Sequence, residues 1–375
     1  MRRFILSSPA SLLTFIFGIF AVFSPADNLN AIKRPTDRPN RFEVQLDVIQ
    51  VRDSDPSNWI MNDGYLSLYA SVFLEENKIL SLYLQDGFRI SHDGGHSWKR
   101  MFEPTGIPSA TLGYTLQSLE FIDSRTGWAS GSCLIATHDG GETWERLELP
   151  EWMDNIRVKF QTPSIGYAAG RAGFCNRDRS RCNTSLAVYK TIDGGKKWKL
   201  SFRDRKLTIP WDIIAIDENV AMMIGDGRRL FRTQNAGKSW KIVLQQDHGS
   251  MSISTSPNGR FWLFGTNSIR FSDDLGLTWQ QATHIDESIV NNEWWSVDFT
   301  RDGIGVAVSE EAAIAITRDG GQSWKQVQSN LHINGKIPVA NNPFDEQLRS
   351  IRLNRNIGII NGSQRDYLLT IHDLR

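Results

Sequence analysis

Short apolar runs separated by turn-forming residues dominate the chain after residue 41. One stretch reads "LQSLEFIDSRTGWASGSCLIATHDGG" and a later one reads "WWSVDFTRDGIGVAVSEEAAIAITRDGG". Both alternate strand-like runs with turns rich in Gly, Asp and Ser, which is the pattern of short strands joined by tight turns. No segment of this part shows a sustained helical period. The pattern therefore predicts an all-β protein.

An eight-residue motif recurs along these strands. We call its copies boxes 1 to 6, and they read "SHDGGHSW" at 91–98, "THDGGETW" at 137–144, "TIDGGKKW" at 191–198, "TQNAGKSW" at 233–240, "SDDLGLTW" at 272–279 and "TRDGGQSW" at 317–324. The Asp or Asn of successive boxes is separated by 46, 54, 42, 39 and 45 residues. A period near this length, filled with short strands, predicts a propeller with one four-stranded blade per repeat.

A seventh unit follows box 6. The strand pattern returns at Leu348 to Asp373, but the chain ends before the strand that follows every other box. The stretch "FEVQLDVIQV" from Phe42 to Val51 is strand-like and precedes the first unit. We predict a seven-bladed propeller of four-stranded antiparallel blades over residues 42–375, with this N-terminal strand closing the ring, because an open ring would leave unpaired edges.

The first residues differ from the rest of the chain. Residues 1–26 combine Arg2 and Arg3 with the apolar run "SLLTFIFGIFAVF" and a small-residue end, which predicts a secretory signal peptide. An uncleaved membrane anchor is the alternative, because the apolar stretch approaches a spanning length. Residues 27–41 are polar and predicted to be a linker. The first cysteine is Cys133, so no lipid anchor is expected, and the predicted location is periplasmic or secreted.

Charge and cysteine content exclude several classes of function. The chain has 42 basic and 42 acidic residues, which gives no electrostatic reason to bind nucleic acid. Cys175 and Cys182 have no histidines nearby, which makes a zinc site unfavourable; in an oxidising compartment we expect them to form a disulfide. Cys133 is expected in a buried strand. We predict no metal and no cofactor.

The residue types inside each box suit a structural role. Asp accepts hydrogen bonds from the amides that follow, the glycines permit a compact turn, and Trp is suited to pack against a neighbouring strand or blade. The positions expected to have this role are Asp93, Trp98, Asp139, Trp144, Asp193, Trp198, Asn235, Trp240, Asp274, Trp279, Asp319 and Trp324.

The pattern [S/T]-x-D-x-G-x-x-W resembles the Asp-box, also called the bacterial neuraminidase repeat. Five boxes satisfy it, and box 4 departs from it with Asn235. The longer unit, with "GWASG" at 127–131, "GYAAG" at 166–170 and "GVAVS" at 305–309, resembles the repeat of the seven-bladed photosystem II assembly and stability factors. That resemblance implies a non-catalytic protein of the lumen or periplasm that holds assembly partners. Cyanobacterial members are typically lipoproteins, and this chain has no lipobox cysteine.

Candidate binding residues are expected where loops lead into the first strand of each blade, around the central channel. Trp211 and Asp212 lie at one such position, and Glu293, Trp294 and Trp295 lie at another. Adjacent tryptophans can stack on a sugar or anchor a partner protein. Because alternate strand residues point to opposite faces, one of the two is expected to pack between blades.

An insertion lengthens the third unit. It contains Arg171, Arg177, Arg179 and Arg181, and arginine forks suit the carboxylates of an acidic partner surface. The alternative is a solvated loop whose charges keep the protein soluble.

The sequence therefore predicts a non-catalytic secreted assembly or interaction factor with a protein partner in an envelope or membrane complex. One alternative is a sialidase-like or xyloglucanase-like glycoside hydrolase, which requires two carboxylates beside the scissile bond. The candidate carboxylates are Asp212, Glu293, Asp298 and Glu346. A second alternative is a propeller that binds a glycan without turnover.

Overall fold

The structure is a computed structural model of the chain. It describes residues 42–48, 68–83, 87–101, 116–175, 182–207, 209–226, 228–246, 249–266, 268–282, 285, 289, 292–309, 312–327, 348–362 and 366–373. Phe42 to Arg375 forms one compact unit. The predicted signal peptide and linker, residues 1–41, lie outside the described residues.

Four strands in chain order build each of the first six blades. Blade 1 contains β2 (Leu68–Phe73), β3 (Ile79–Tyr83), β4 (Gly87–Ser91) and β5 (Lys99–Arg100). Blade 2 contains β6 (Leu116–Phe121), β7 (Gly127–Gly131), β8 (Leu134–Thr137) and β9 (Glu145–Leu147). Blade 3 contains β10 (Met153–Phe160), β11 (Gly166–Cys175), β12 (Cys182–Thr191) and β13 (Lys199–Asp204).

The second half of the ring follows the same plan. Blade 4 contains β14 (Pro210–Ala215), β15 (Ala221–Gly225), β16 (Arg229–Thr233) and β17 (Lys241–Gln245). Blade 5 contains β18 (Ser250–Thr255), β19 (Phe261–Gly265), β20 (Ser268–Ser272) and β21 (Gln280–Gln281). Blade 6 contains β22 (Trp294–Phe299), β23 (Gly305–Ser309), β24 (Ile314–Thr317) and β25 (Lys325–Val327). Blade 7 contains β26 (Leu348–Asn354), β27 (Ile357–Gly362), β28 (Asp366–Asp373) and β1 (Phe42–Val48).

The N-terminal strand closes the ring, as the sequence predicts. Strand β1 pairs antiparallel with β28, with Phe42 opposite Asp373 and Val48 opposite Tyr367. The described strands therefore form seven four-stranded antiparallel sheets. The first strand of each blade contacts the first strand of the next, and β26 of blade 7 contacts β2 of blade 1. The predicted all-β, seven-bladed propeller is confirmed.

The core lies between neighbouring blades. In blades 1, 2, 4, 5 and 6 every residue of the second strand is buried, because both faces of each sheet pack against other sheets. Aromatic rings fill the spaces between blades: Trp128 of blade 2 stacks on Phe160 of blade 3 with ring centroids 3.6 Å apart.

Glycine begins several second strands because an aromatic ring occupies the space beside it. A Cβ atom on Gly127 would lie 2.5 Å from the ring of Phe121, and one on Gly166 would lie 2.6 Å from the ring of Phe160. The repeated glycine of "GWASG" and "GYAAG" is therefore explained by packing against the end of the first strand. Nothing in the described part of the chain forms a helix long and apolar enough to cross a bilayer.

Candidate functional site

The first residue and the Asp or Asn of every box make the same hydrogen bond, which box 2 illustrates. Thr137 Oγ1 donates to Asp139 Oδ1 at 2.8 Å and accepts from the N–H of Gly141 at 2.9 Å. Asp139 Oδ1 also accepts from the N–H of Thr143 at 2.9 Å. The indole N–H of Trp144 donates to the carbonyl of Gly141 at 2.9 Å. The hydroxyl of Thr137, the carboxylate of Asp139 and the indole N–H of Trp144 are therefore all hydrogen-bonded within the turn.

Box 4 keeps this turn despite its substitutions. Asn235 Oδ1 accepts from the N–H of Ser239 at 2.9 Å, and its amide Nδ2 donates to Ser239 Oγ at 2.8 Å. Ala236 adopts a positive φ of 61°, at the position where boxes 1, 2, 3 and 6 have glycine. An amide therefore replaces the carboxylate in this hydrogen-bond pattern.

Box residues also contact the preceding blade. The ring of Trp144 stacks on Phe88 of blade 1, with centroids 4.7 Å apart and an angle of 8° between planes. In box 6, Gly321 has φ 94°, and a Cβ atom there would lie 2.1 Å from Trp262 of blade 5. These contacts join adjacent blades.

The boxes and the channel lie at opposite ends of the propeller. Each box joins the third and fourth strands of its blade, whereas the first strand begins at the other end of the same antiparallel sheet. A cavity of about 310 Å³ lies at that second end. The first strands of all seven blades line it, and we call it the channel mouth. Its lining residues are Ala70, Ser71, Gln117, Ser118, Leu119, Arg157, Trp211, Asp212, Ser252, Trp295, Ser296, Arg349, Ser350 and Arg352.

A β-bulge near the start of each first strand shapes the channel mouth. The register of the first and second strands shifts there in every blade. A bulge adds a residue to one strand and re-aims side chains, so two successive residues can face the same space. The extra residues are Tyr69, Gln117, Trp211, Met251, Trp295 and Arg349, with Asn155 and Ile156 together in blade 3.

The residue after each bulge forms a ring around the channel mouth. Five of its members are small, and the two charged members are Arg157 of blade 3 and Asp212 of blade 4. The full ring is Ala70, Ser118, Arg157, Asp212, Ser252, Ser296 and Ser350. Charge is therefore concentrated on one side of this ring.

Arg157 connects three blades, and sequence reasoning missed it. Its Nε donates to the carbonyl of Trp211 at 3.3 Å, and Nη1 donates to Gln117 Oε1 at 3.4 Å. Burial lowers the pKa of the Arg157 guanidinium, and the nearby charge of Asp212 opposes this shift. The sequence "DNIRVKF" contains Arg157 near the start of the first strand of blade 3. The bulge of this blade has two residues, so Arg157 lies one position further along the chain than a single-residue bulge would place it.

Asp212 joins blade 4 to blade 5. One carboxylate oxygen accepts from the N–H of Ile213 at 2.8 Å and the other accepts from the N–H of Ile253 at 2.9 Å. Burial raises the pKa of the Asp212 carboxyl, while the hydrogen bond from Ile253 and the charge of Lys159 act in the opposite direction. Both oxygens of this candidate carboxylate are thus already engaged by backbone amides.

Asp298 makes the same connection between blades 6 and 7. Its oxygens accept from the N–H of Phe299 at 3.0 Å and from the N–H of Leu353 at 2.8 Å. Burial raises the pKa of this carboxyl, and the charge of Arg352 opposes the shift. Glu293 is half-buried, forms an isolated bridge with Thr266, and does not line the channel mouth. Glu346 lies outside the described residues.

The two adjacent tryptophans have different environments. Trp294 is fully buried, and its indole N–H donates to the carbonyl of Ile289 at 2.8 Å. The expectation that Trp294 contacts a partner is therefore corrected, because its side chain is enclosed by the core. Trp295 lines the channel mouth, as does Trp211, which is 40% exposed.

The predicted arginine cluster is only partly described. Arg171 is half-buried and its Nε donates to Asp154 Oδ1 at 2.7 Å. This hydrogen bond raises the pKa of Arg171, so its charge is balanced by a neighbouring carboxylate. Arg177, Arg179 and Arg181 lie outside the described residues, and their role stays a prediction.

Strands β11 and β12 place the backbone of Cys175 directly opposite Cys182. Their side chains lie outside the described residues, so the disulfide stays a prediction. Cys133 lies in the turn between β7 and β8 and is half-buried, which corrects the expectation of a buried strand position.

A group of exposed apolar side chains lies at the same end as the channel mouth. Trp152, just before β10, is 46% exposed and stacks on Phe174, which is 70% exposed, with ring centroids 6.3 Å apart. Ile209, just before β14, is 39% exposed. Sequence reasoning missed all three, because the length of the β11–β12 hairpin is needed to place Phe174 beside Trp152.

Within the described ranges, no three His, Cys, Asp or Glu side chains are arranged to hold a metal ion. The described part of the channel mouth contains three guanidinium groups, one engaged carboxylate, two tryptophans and several hydroxyl groups. Such a lining suits recognition of a polar or anionic group flanked by apolar surface.

Comparison with known proteins supports this fold. The family described as Photosynthesis system II assembly factor YCF48 matches residues 115–261. A solved structure described as YCF48 bound to D1 peptide has a TM-score of 0.60 at 16% identity and covers 90% of this chain and 99% of that chain. YCF48 from Cyanidioschyzon merolae has a TM-score of 0.58 at 17% identity and covers 83% and 97%. The resemblance to photosystem II assembly factors is confirmed.

The fold is also similar to that of an enzyme. The GH74 xyloglucanase from Xanthomonas campestris has a TM-score of 0.60 at 10% identity and covers 87% of this chain but 53% of that chain. This chain thus spans about half the length of that enzyme. No curated protein matches the sequence.

Proposed function

We propose that this propeller is a non-catalytic interaction or assembly factor that holds a protein partner at its channel mouth. The observation that carries the proposal is the difference between the two ends. The first residue and the Asp of the box are hydrogen-bonded within the turn, and the box packs against the preceding blade. The channel mouth presents a different bulge side chain from each of four blades, namely Gln117, Trp211, Trp295 and Arg349. The YCF48 likeness supports the proposal, because it covers nearly all of both YCF48 chains.

Exposed apolar side chains, most of them aromatic, favour a protein partner. Trp152, Phe174, Ile209 and Trp211 lie on blades 3 and 4 around the channel mouth. Tryptophan and arginine anchors surrounded by polar groups are typical of the energetic centre of protein interfaces. One YCF48 structure is described as bound to a D1 peptide, which supports an extended segment of a protein as the form of the partner.

Glycoside hydrolysis is less well supported. It requires one carboxylate as acid and another as base or nucleophile, both accessible to the substrate. Asp212 and Asp298 each direct both oxygens to backbone N–H groups, and Asp212 is the one carboxylate among the described residues that line the channel mouth. Fluorogenic xyloglucan oligosaccharides and sialosides test this alternative. Turnover by the wild type that is lost in Asp212→Asn would replace the proposed function with an enzymatic one.

The proposed partner belongs to an envelope or membrane complex, and the proposed location is periplasmic or secreted. The support is the predicted signal peptide of residues 1–26. Cell fractionation with N-terminal sequencing of the mature protein tests this. A chain that begins near residue 27 in the periplasmic or extracellular fraction supports secretion; an intact leader in the membrane fraction supports an anchor instead.

Affinity capture from the protein's own envelope extract tests the binding surface. Trp211→Ala removes an exposed side chain at the channel mouth, so we expect it to reduce the captured partner at least about tenfold. The matched control is Leu275→Ala, which removes a 45% exposed side chain from box 5 at the opposite end. Equal capture by both variants and the wild type would contradict the proposed function.

A further inference from the structure

We propose that the channel mouth recognises its partner through a carboxylate group, held on the side of the cavity formed by blades 6 and 7. The inference rests on the proposed function and specifies its chemistry. The carboxylate belongs either to an acidic side chain or to a chain terminus, and ligand-observed NMR separates these two sources.

Two hydrogen-bond donors carry the inference. Trp295 and Arg349 are the bulge residues of neighbouring blades, and both line the channel mouth. The indole Nε1 of Trp295 and the Nε of Arg349 are buried and have no hydrogen-bond partner among the described residues. A buried N–H without an acceptor is destabilising, so a rotation of either side chain that brings its N–H to an acceptor in the cavity is favoured.

The charge of the lining makes that acceptor anionic. Among the described residues that line the channel mouth, Arg157, Arg349 and Arg352 contribute three guanidinium groups against the carboxylate of Asp212. Asp298 lies close enough to Arg352 to balance part of this charge. Asp212 is itself occupied, because both of its oxygens accept backbone N–H bonds. The excess of positive charge lies in a partly enclosed cavity, where electrostatic interactions are stronger than in water.

The geometry of the groups favours a carboxylate. The planar guanidinium fork matches the two oxygens of a carboxylate, and hydrogen bonds between ionised partners are stronger than neutral ones. Ser296 follows the first of the two bulges, and its Oγ accepts from the N–H of Ile351 at 3.3 Å, which leaves its O–H as a further donor on the same side of the cavity. The hydroxyl of Ser350 already donates to Asn361 Oδ1 at 2.5 Å.

The size of the cavity limits the ligand. Its volume of about 310 Å³ is roughly twice that of a cavity that accommodates benzene. One side chain or one terminal residue fits this space, and a folded domain does not. The partner therefore inserts a single acidic group while the surrounding aromatic residues contact the rest of its surface.

Ligand-observed NMR with three small probes tests the inference. The probes are N-acetyl-alanyl-alanine with a free terminal carboxylate, its C-terminal amide, and N-acetyl-alanyl-glutamate amide, which has a carboxylate only on its side chain. We expect saturation transfer to one or both carboxylate probes and none to the neutral amide. Binding of N-acetyl-alanyl-alanine alone identifies the recognised carboxylate as a chain terminus. Binding of N-acetyl-alanyl-glutamate amide alone identifies it as an acidic side chain.

Two variants link the binding to the named donors. Arg349→Gln is expected to weaken binding of the carboxylate probe at least about tenfold. Trp295→Phe keeps an aromatic ring but removes the indole N–H, so we expect a loss of several-fold. The matched control is Arg355→Gln in the same blade, where the arginine is 70% exposed and pairs with Glu76 at 2.5 Å. Its affinity for the probe should equal that of the wild type.

Three results would overturn the inference: no binding of either carboxylate probe, equal binding of the neutral amide, or no change in Arg349→Gln when its melting temperature matches the wild type. If the probes fail while Trp211→Ala still abolishes partner capture, the proposed function stands and the carboxylate inference falls. If the carboxylate probes bind while Trp211→Ala leaves partner capture unchanged, the proposed function falls instead.

Discussion

The two ends of the propeller are built from the same seven repeats but use them differently. At the box end, the first residue and the Asp or Asn of each box make nearly the same hydrogen bonds in blades 1 to 6. At the channel mouth, the bulge position carries Gln117 in blade 2, Trp211 in blade 4, Trp295 in blade 6 and Arg349 in blade 7. The box positions are thus nearly uniform, whereas the bulge positions of these four blades carry different residues.

This difference follows from what each position contacts. A box residue packs against the preceding blade, and that contact recurs around the ring, so the same residue types satisfy every copy. A bulge residue faces the cavity, so packing against a neighbouring blade does not determine which side chain occurs there. We therefore propose that stability and recognition are separated along the propeller axis.

Removal of the closing strand should have the strongest effect on stability. A chain that begins at residue 49 lacks β1, so the edge of β28 is left unpaired. We expect the free energy of unfolding to fall by more than about 4 kcal/mol. Thermal unfolding followed by circular dichroism measures this against a chain that begins at residue 42. Equal melting temperatures would show that the ring does not depend on β1.

A box tryptophan and a mouth tryptophan should respond differently to the same substitution. Trp144→Ala removes a buried ring stacked on Phe88 and should destabilise the protein by about 3–5 kcal/mol. Trp211→Ala removes a side chain that is 40% exposed and should change stability by less than about 1 kcal/mol. Urea unfolding measures both. Similar losses in the two variants would remove the distinction between the ends.

A box glycine should be more sensitive than a glycine with open space beside it. Gly321→Ala combines a positive φ with a clash against Trp262 and should destabilise by about 3 kcal/mol. Gly259 also has a positive φ, of 82°, but no atom lies within 4 Å of its Cβ position. Gly259→Ala should therefore lose only about 1 kcal/mol. Equal losses would mean that packing between blades does not constrain the box.

The box carboxylates should add a small dependence on pH. Burial raises the pKa of Asp274, but hydrogen bonds from Thr278 and Ser272 outweigh this and lower it to about 2. Because the pKa is lower in the folded state, the stabilisation is present above the unfolded value near 4 and is lost as the pH falls through about 2. We expect less than about 1 kcal/mol, since the turn is close to solvent. Urea unfolding of the wild type and Asp274→Asn at pH 6 and pH 3 should show a smaller difference at pH 3; a constant difference would contradict this.

Much of the fold could be predicted from the sequence because the boxes mark six of the seven blades. Their spacing indicates the number of sheets, and the missing last strand of blade 7 predicts the closure by β1. The packing that makes Asp, Gly and Trp recur is local to each turn and to the adjacent blade. Local contacts of this kind leave a visible pattern in the sequence.

The channel mouth was harder to predict because bulges change which residues face it. Strand alternation alone suggests that one of Trp294 and Trp295 is buried, but the register shift in blade 6 decides that it is Trp294. In blade 3, a two-residue bulge brings Arg157 to the ring without any signal in the spacing of the boxes. Asp212 was correctly placed beside the channel, but its hydrogen bond to the next blade depends on tertiary structure.

Hydrogen–deuterium exchange of the protein with and without its captured partner tests the separation of the two ends most directly. We expect the partner to slow exchange at the starts of first strands, at residues 116–118, 210–212, 294–296 and 348–350, and to leave the box turns unchanged. Protection of the box turns with unchanged exchange at the strand starts would contradict the conclusion that the channel mouth is the recognition surface.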